Sequence, residues 1–154
     1  MDPRFLKQAI ELAVANVRRN GGPFGALVVR AGVVIATGCN QVTITNDPTA
    51  HAELVAVREA CRILGSFQLR ECDVYSSCEP CPMCLGALYW ARPSRIFFAA
   101  TQQDAAAAGF DDSFIYRELE MPADQRAIPM IHVADQFATR PFTEWAAKPD
   151  KTAY

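Results

Sequence analysis

No stretch of this 154-residue chain approaches the run of about 18 to 20 apolar residues that spans a bilayer. The N-terminus, Met1-Asp2-Pro3-Arg4-Phe5-Leu6-Lys7-Gln8, has no apolar secretory core. Both absences lead to the expectation of a cytoplasmic protein with no membrane role. Positive charge is not in excess either: 15 basic residues minus 17 acidic ones leaves a net of −2. A general binder of nucleic acid or anionic lipid carries a basic surface, so the charge balance counts against both classes. Internal repeats, low-complexity segments and long charge runs are also missing. What is present is an ordinary globular mixture, 51% hydrophobic and 21% charged, which excludes global disorder. The length suits one core, and residues 1–154 are read as a single domain. Cysteine is not scarce: there are six, at 39, 61, 72, 78, 81 and 84. In a reducing compartment, cysteines clustered like the last three point to metal binding or catalysis rather than to disulfides.

Apolar residues Leu6, Ile10, Ala13, Val14 and Val17 recur at three- and four-residue steps, which predicts a first helix with that stripe buried. Gly21-Gly22-Pro23 stops it. Ala26 to Val29 and Val33 to Ala36 read as the two strands of a hairpin joined at Ala31-Gly32. After a polar loop, Asp47-Pro48 predicts a helix start, with Asp47 as cap, and the helix runs to about Leu64. Its buried stripe is Leu54, Val57, Cys61 and Leu64. Asp73 to Ser77 predicts a strand, Pro82 to Ala91 a helix and Arg95 to Ala100 a strand. Asp111 to Leu119 and Phe142 to Lys148 predict helices. Met130 to Val133 is read as a fifth strand containing His132. Strands alternating with helices after a hairpin imply a three-layer α/β/α sandwich on a five-stranded mixed sheet.

Chemistry concentrates in His51-Ala52-Glu53 and Pro80-Cys81-Pro82-Met83-Cys84. At the first turn of a helix, sulfurs three residues apart aim at one point, and an imidazole supplies a third donor for one Zn²⁺ per chain. Three protein ligands leave a fourth position for water, the catalytic arrangement. His51 and Glu53, two residues apart, point to nearly opposite sides of a helix interior. They approach one site only if it lies off the helix N-terminus. Two helix N-termini then converge on the metal and favour thiolate. Taken singly, a C-x-x-C pair fits a redox pair or half of a structural zinc site, and a lone His or Glu fits a helix start. Cys72 and Cys78 do not form the second C-x-x-C that a four-cysteine site needs, and a redox pair leaves His51 and Glu53 unused. Cys61 reads as core, His132 as structural, and Phe97 and Phe98 as sheet core.

H-x-E followed by P-C-x-x-C is the known signature of zinc deaminases, in which the Glu shuttles protons and is not a ligand. The chain resembles the cytidine deaminase-like zinc superfamily through Asn46-Asp47-Pro48-Thr49-Ala50-His51-Ala52-Glu53 and Glu79-Pro80-Cys81-Pro82-Met83-Cys84. Both stretches are shared by tRNA adenosine deaminases and guanine deaminases. Gly21 to Ala26, Leu85 to Arg92 and Ala108 to Tyr116 resemble the small bacterial guanine deaminases, the last through Phe110-Asp111-Asp112-Ser113-Phe114-Ile115-Tyr116. The resemblance covers residues 5 to 133 and the closing Tyr154. It implies zinc ligands His51, Cys81 and Cys84, and Glu53 as proton shuttle. It further implies that Asn40 hydrogen-bonds the purine, that Phe24 and Trp90 line the pocket, that Asp112 reads or helps to protonate the base, and that Tyr154 closes over it. Purely structural roles stand beside these: core packing for Phe24 and Trp90, loop support for Asn40, a helix cap for Asp112.

The implied reaction is hydrolytic deamination of guanine to xanthine and ammonia, with a purine as the small-molecule partner. A homodimer is expected, with C-terminal segments exchanged and a tail of about residues 141–154 covering an active site. Nearby alternatives are a guanosine or other nucleoside deaminase and a tRNA adenosine deaminase. A non-catalytic zinc-stabilised scaffold is the remaining class, and Glu53 argues against it.

Overall fold

The computed structural model describes residues 2–153, so Tyr154 lies outside the described residues. The chain divides after Ser113 into two compact units. The first holds a four-stranded sheet in the order β2-β1-β3-β4, formed by Gly25–Arg30 (β1), Val33–Cys39 (β2), Cys72–Cys78 (β3) and Arg95–Ala100 (β4). β1 is antiparallel to both β2 and β3, and β4 is parallel to β3. Helix α1 (Pro3–Val17) packs on one face. Helices α3 (Ala52–Leu64) and α4 (Pro82–Ala91) accompany the other face, which gives the three layers. A short helix α2 (Val42–Thr45) lies in the loop after β2.

Alternation along β1 serves both faces. Ala26 and Val28 enter the cluster with Ala56, Ala60, Val74 and Leu88, while Leu27 and Val29 enter the cluster with Ala9 and Tyr75. Both faces being covered, β1 reads as a continuous buried apolar run. Small residues let the layers approach closely. A Cβ on Gly38 would overlap the Ala52 carbonyl oxygen, so α3 starts directly against β2. A Cβ on Gly25 would stand 2.5 Å from the Ala9 carbonyl oxygen, so α1 lies as close to β1.

Four sequence expectations need correction, the first being Phe98, which is 44% exposed on β4 while of the pair Phe97 alone packs against the core. The buried face of α1 is Ala9, Ala13 and Asn16 with Phe5, Leu6 and Leu12 beside them, whereas Ile10, Val14 and Val17 are exposed. Two adjacent stripes satisfy the same periodicity, and the sheet takes the one whose alanines permit close approach. Helix α3 begins at Ala52 rather than at Pro48. Asp47 closes a turn instead, its Oδ1 accepting from the Thr49 N–H at 2.8 Å and the Thr49 hydroxyl at 2.7 Å. Met130 to Val133 is not a strand: the segment has no regular structure, with Met130, Ile131 and Val133 exposed, so the sheet has four strands among the described residues.

A helix that the patterning left unassigned, α5 (Gln102–Ala107), follows β4. Its start is a reciprocal cap in which the Thr101 hydroxyl accepts from the Asp104 N–H and Asp104 Oδ2 accepts from the Thr101 N–H. The second unit carries α6 (Ser113–Glu120), which begins at its boundary, a 3₁₀ turn at Ala123–Gln125 and α7 (Arg140–Ala147). No helix among the described residues is long and apolar enough to cross a membrane.

Candidate zinc-dependent active site

The topology gathers the site at one edge of the sheet. β2, β3 and β4 run in one direction, so their C-terminal ends share that edge. Crossover helices leave from there, as the connection of parallel strands requires. Asn40 follows β2, Cys81 follows β3 and Gln102 follows β4. β1 runs the opposite way, so its preceding residue, Phe24, reaches the same edge. Residues from all four connections line a cavity of about 740 Å³, among them Phe24, Asn40, His51, Glu53, Gln102 and Asp112. That volume is in the range of small-molecule sites.

His51 is the residue immediately before α3, and Cys81 holds the same place before α4. Cys84 is in the first turn of α4 and is buried. Both cysteine sulfurs lie 3.5 Å from His51 Nδ1, and the three ligand atoms are within 4.8 Å of one another. A tetrahedral zinc with Zn–N of about 2.0–2.1 Å and Zn–S of about 2.3 Å has N···S edges of about 3.5 Å. The donor set therefore fits zinc in both chemistry and spacing, and His51, Cys81 and Cys84 form a zinc-binding site. Hydrogen bonding with Cys84 and with His51 lowers the Cys81 thiol to about 4. The same bond to Cys81, with burial, pushes the Cys84 thiol up. The Cys81 sulfur in turn raises the His51 imidazole. Both Cys81 and His51 immediately precede a helix, and the two N-termini favour a thiolate there.

Glu53, the second residue of α3, is 4% exposed. A buried carboxylate needs partners. The Ser76 hydroxyl donates to Glu53 Oε1 at 2.8 Å, and the Cys84 thiol donates to Oε2 at 3.5 Å. Burial raises its pKa, opposed by its own backbone N–H, Ser76 and Cys84. A carboxyl with raised proton affinity beside an open metal position suits a group that must both take and give a proton.

Asn40 is buried, and its side chain borders the cavity. Its N–H donates to the Phe24 carbonyl at 3.1 Å, and its carbonyl accepts from Asn16 Nδ2 at 2.7 Å. Asn16 also donates to the Gly22 carbonyl, at 2.8 Å, and so joins the end of α1 to the rim. Phe24 meets Phe110 edge to face at 5.0 Å. Asp112 faces the cavity, and its Oδ1 accepts from Gln102 Nε2 at 2.8 Å. Its neighbour Asp111 closes a turn into α6, Oδ1 accepting from the Ser113 N–H at 2.9 Å. Trp90 is placed elsewhere. It stands 62% exposed on α4 and is not among the residues lining the cavity, because Leu88 and Ala91 take the inward side of that helix.

Ser76, Gln102 and Asn16 carry no motif in the sequence, and Glu79 opens the Glu79-Pro80-Cys81 stretch with no role of its own assigned there. Only the capping pattern Thr101-Gln102-Gln103-Asp104 announces that Gln102 opens a helix at the end of β4.

A family model described as the cytidine and deoxycytidylate deaminase zinc-binding region matches residues 1–100. The chain is 54% identical over 151 residues to a guanine deaminase of Bacillus subtilis (strain 168), covering 97% of each chain. An X-ray structure of guanine deaminase from Bacillus subtilis superposes with a TM-score of 0.98 at 53% identity, over 100% of this chain and 99% of that one. A tRNA-specific adenosine deaminase of Aquifex aeolicus is 41% identical over 96 residues, 62% of this chain and 64% of the relative. The matched residues 1–100 contain the whole of His51, Glu53, Cys81 and Cys84. The chain belongs to the cytidine and deoxycytidylate deaminase zinc-binding family.

Proposed function

We propose that this protein is a zinc-dependent hydrolase that deaminates guanine to xanthine and ammonia. The observation that carries the reading is a zinc-ligand triad with a buried carboxylate beside it, in a fold that matches a guanine deaminase over its full length. When bound, zinc supplies the Lewis acidity that lowers the pKa of water toward about 7. Glu53 takes a proton from the attacking water as oxygen bonds to the ring carbon that bears the amino group, and delivers it to the adjacent ring nitrogen. Glu53 then takes the remaining hydroxyl proton and hands it to the amino group. The C–N bond breaks, ammonia leaves and the carbonyl of xanthine forms. Ser76 keeps the carboxylate aimed at the cavity through both transfers. Asn40 hydrogen-bonds the purine, Phe24 covers its face, and Asp112 accepts from an N–H of the base. Tyr154 closes over the base, as the resemblance to the small guanine deaminases implies.

A turnover panel of guanine, guanosine, cytosine, cytidine, adenine and tRNA, read as ammonia released, tests the assignment. Guanine is expected to be used best, and preferred use of cytosine would reject the substrate assignment. Guanosine is the informative competitor, because the cavity of about 740 Å³ has room beyond a bare purine. For tRNA, the net charge of −2 opposes capture of a polyphosphate, and steep loss of binding with salt would be its mark.

All six cysteines are free, in keeping with a cytoplasmic enzyme whose thiols must stay reduced to hold zinc. The protein works as a homodimer with exchanged C-terminal segments. Supporting this, residues 114–153 expose Ile128, Ile131 and Val133 at 83%, 82% and 77%, a run of apolar surface that a second copy would cover. Sedimentation equilibrium should return twice the chain mass, and a monomer mass would remove this part.

A further inference from the structure

Asp112 stands on the connection between α5 and α6, where residues 110–112 have no regular structure. A carboxylate on such a segment is free to rotate unless something holds it. The holding group is the side-chain amide of Gln102, whose Nε2 donates to Asp112 Oδ1 at 2.8 Å. Both residues line the cavity. Gln102 is itself anchored from the zinc-ligand loop: its backbone N–H donates to Glu79 Oε2 at 3.0 Å, and the Glu79 N–H donates to the Ala100 carbonyl at 2.9 Å. Glu79 precedes Pro80-Cys81, so a continuous hydrogen-bonded path runs from the loop carrying Cys81, through Gln102, to Asp112. Phe110 against Phe24 anchors the same connection from the other side.

We infer that Gln102 is a positioning residue for the deamination: its amide holds Asp112 Oδ1 and leaves Oδ2 as the oxygen that meets the N–H-bearing edge of the purine. The inference rests on the Asp112 role proposed above. The distance between the metal position and Asp112 is then set by Glu79 and Gln102 rather than by the loop. Gln102 suits the task because a neutral amide donates to a carboxylate without adding charge to a site that already receives a metal ion. A Met at this position would have the same reach and no donor.

The test is a double-mutant cycle with Gln102→Met and Asp112→Asn, with kcat and KM for guanine measured per zinc-loaded site. Misplacement of a reacting group by about 1 Å costs up to about 10²-fold, so Gln102→Met alone is expected to lower kcat at least about tenfold. KM should change less, with zinc content and Tm at wild-type values. In the Asp112→Asn background the same substitution should change kcat less than about twofold, since there is no longer a carboxylate to aim. Gln102→Glu, of equal size with an acceptor in place of the donor, should be at least as slow and serves if the Met variant folds poorly. A slow Asp112→Asn beside a Gln102→Met within about twofold of wild type would leave Asp112 its role and overturn the inference. Equal losses from Gln102→Met in both backgrounds would make Gln102 merely structural. Wild-type turnover by Asp112→Asn would remove the Asp112 role and the inference with it.

Discussion

Glu53→Gln is expected to keep one zinc per chain and the wild-type fold while losing about 10²- to 10⁴-fold of kcat for guanine. Glu53 is not among the three converging ligands, so metal content does not depend on it. Gln has the same shape, and its oxygen still accepts from the Ser76 hydroxyl that now holds Oε1. What is lost is the ability to take a proton and return it, which the mechanism uses twice per turnover. Stability should not fall. Burial raises the Glu53 pKa, which means the folded state disfavours its ionised form. In the zinc-free protein that burial cost opposes folding at neutral pH, and a neutral amide relieves it. Metal analysis, a thermal melt and steady-state kinetics on one preparation decide the matter. Normal zinc with less than about a tenfold loss of kcat would show that Glu53 is not the proton shuttle.

Cys81→Ala should abolish zinc binding and turnover together. Cys81 is one of the three converging ligands, and its thiol is lowered to about 4, so its loss removes a thiolate donor from the set. The remaining pair, His51 and Cys84, supplies only two donors. Binding to the folded state alone contributes RT ln(1 + [L]/Kd), about 4 kcal/mol at a thousandfold excess over Kd. For a domain of this size that corresponds to a Tm lower by on the order of 10 °C. Chelator should lower the wild-type Tm by a similar amount and leave the Cys81→Ala Tm unchanged. Cys61→Ala is the control. Cys61 is also half-buried, but it packs in the core on α3 and lies outside the ligand set, so zinc content should be normal. Retention of zinc by Cys81→Ala would remove Cys81 from the ligands.

The metal site was legible because its parts are local. Cys81 and Cys84 need only the first turn of a helix to converge, and His51 and Glu53 need only a helix that begins between them. The structure starts α3 at Ala52, closer to that requirement than a start at Asp47-Pro48. The bounds Pro82–Ala91 and Arg95–Ala100 were readable for the same reason, since Pro, Arg92-Pro93 and apolar runs punctuate the chain locally.

What depends on the order and register of the sheet was not legible. Ser76 touches Glu53 across 23 residues of sequence only because sheet pairing brings β3 within reach of the start of α3. Gln102 reaches Glu79 only because β4 is parallel to β3 and ends at the same edge. The choice between two stripes on α1 was settled by which one lets the backbone approach Gly25 and Leu27, a property of the facing strand. Met130 to Val133 carries strand-forming residues, yet no strand forms there, because strand propensity is realised only where a neighbouring edge supplies hydrogen-bond partners and a surface to pack on. The sequence by itself therefore indicated the metal, its three ligands and the layered α/β class through local spacing and a family signature, and it marked Glu53 as the proposed proton shuttle through that resemblance. Only the tertiary structure decided which side chains hold the reacting groups in place, because contacts between distant segments exist only once the strands have paired.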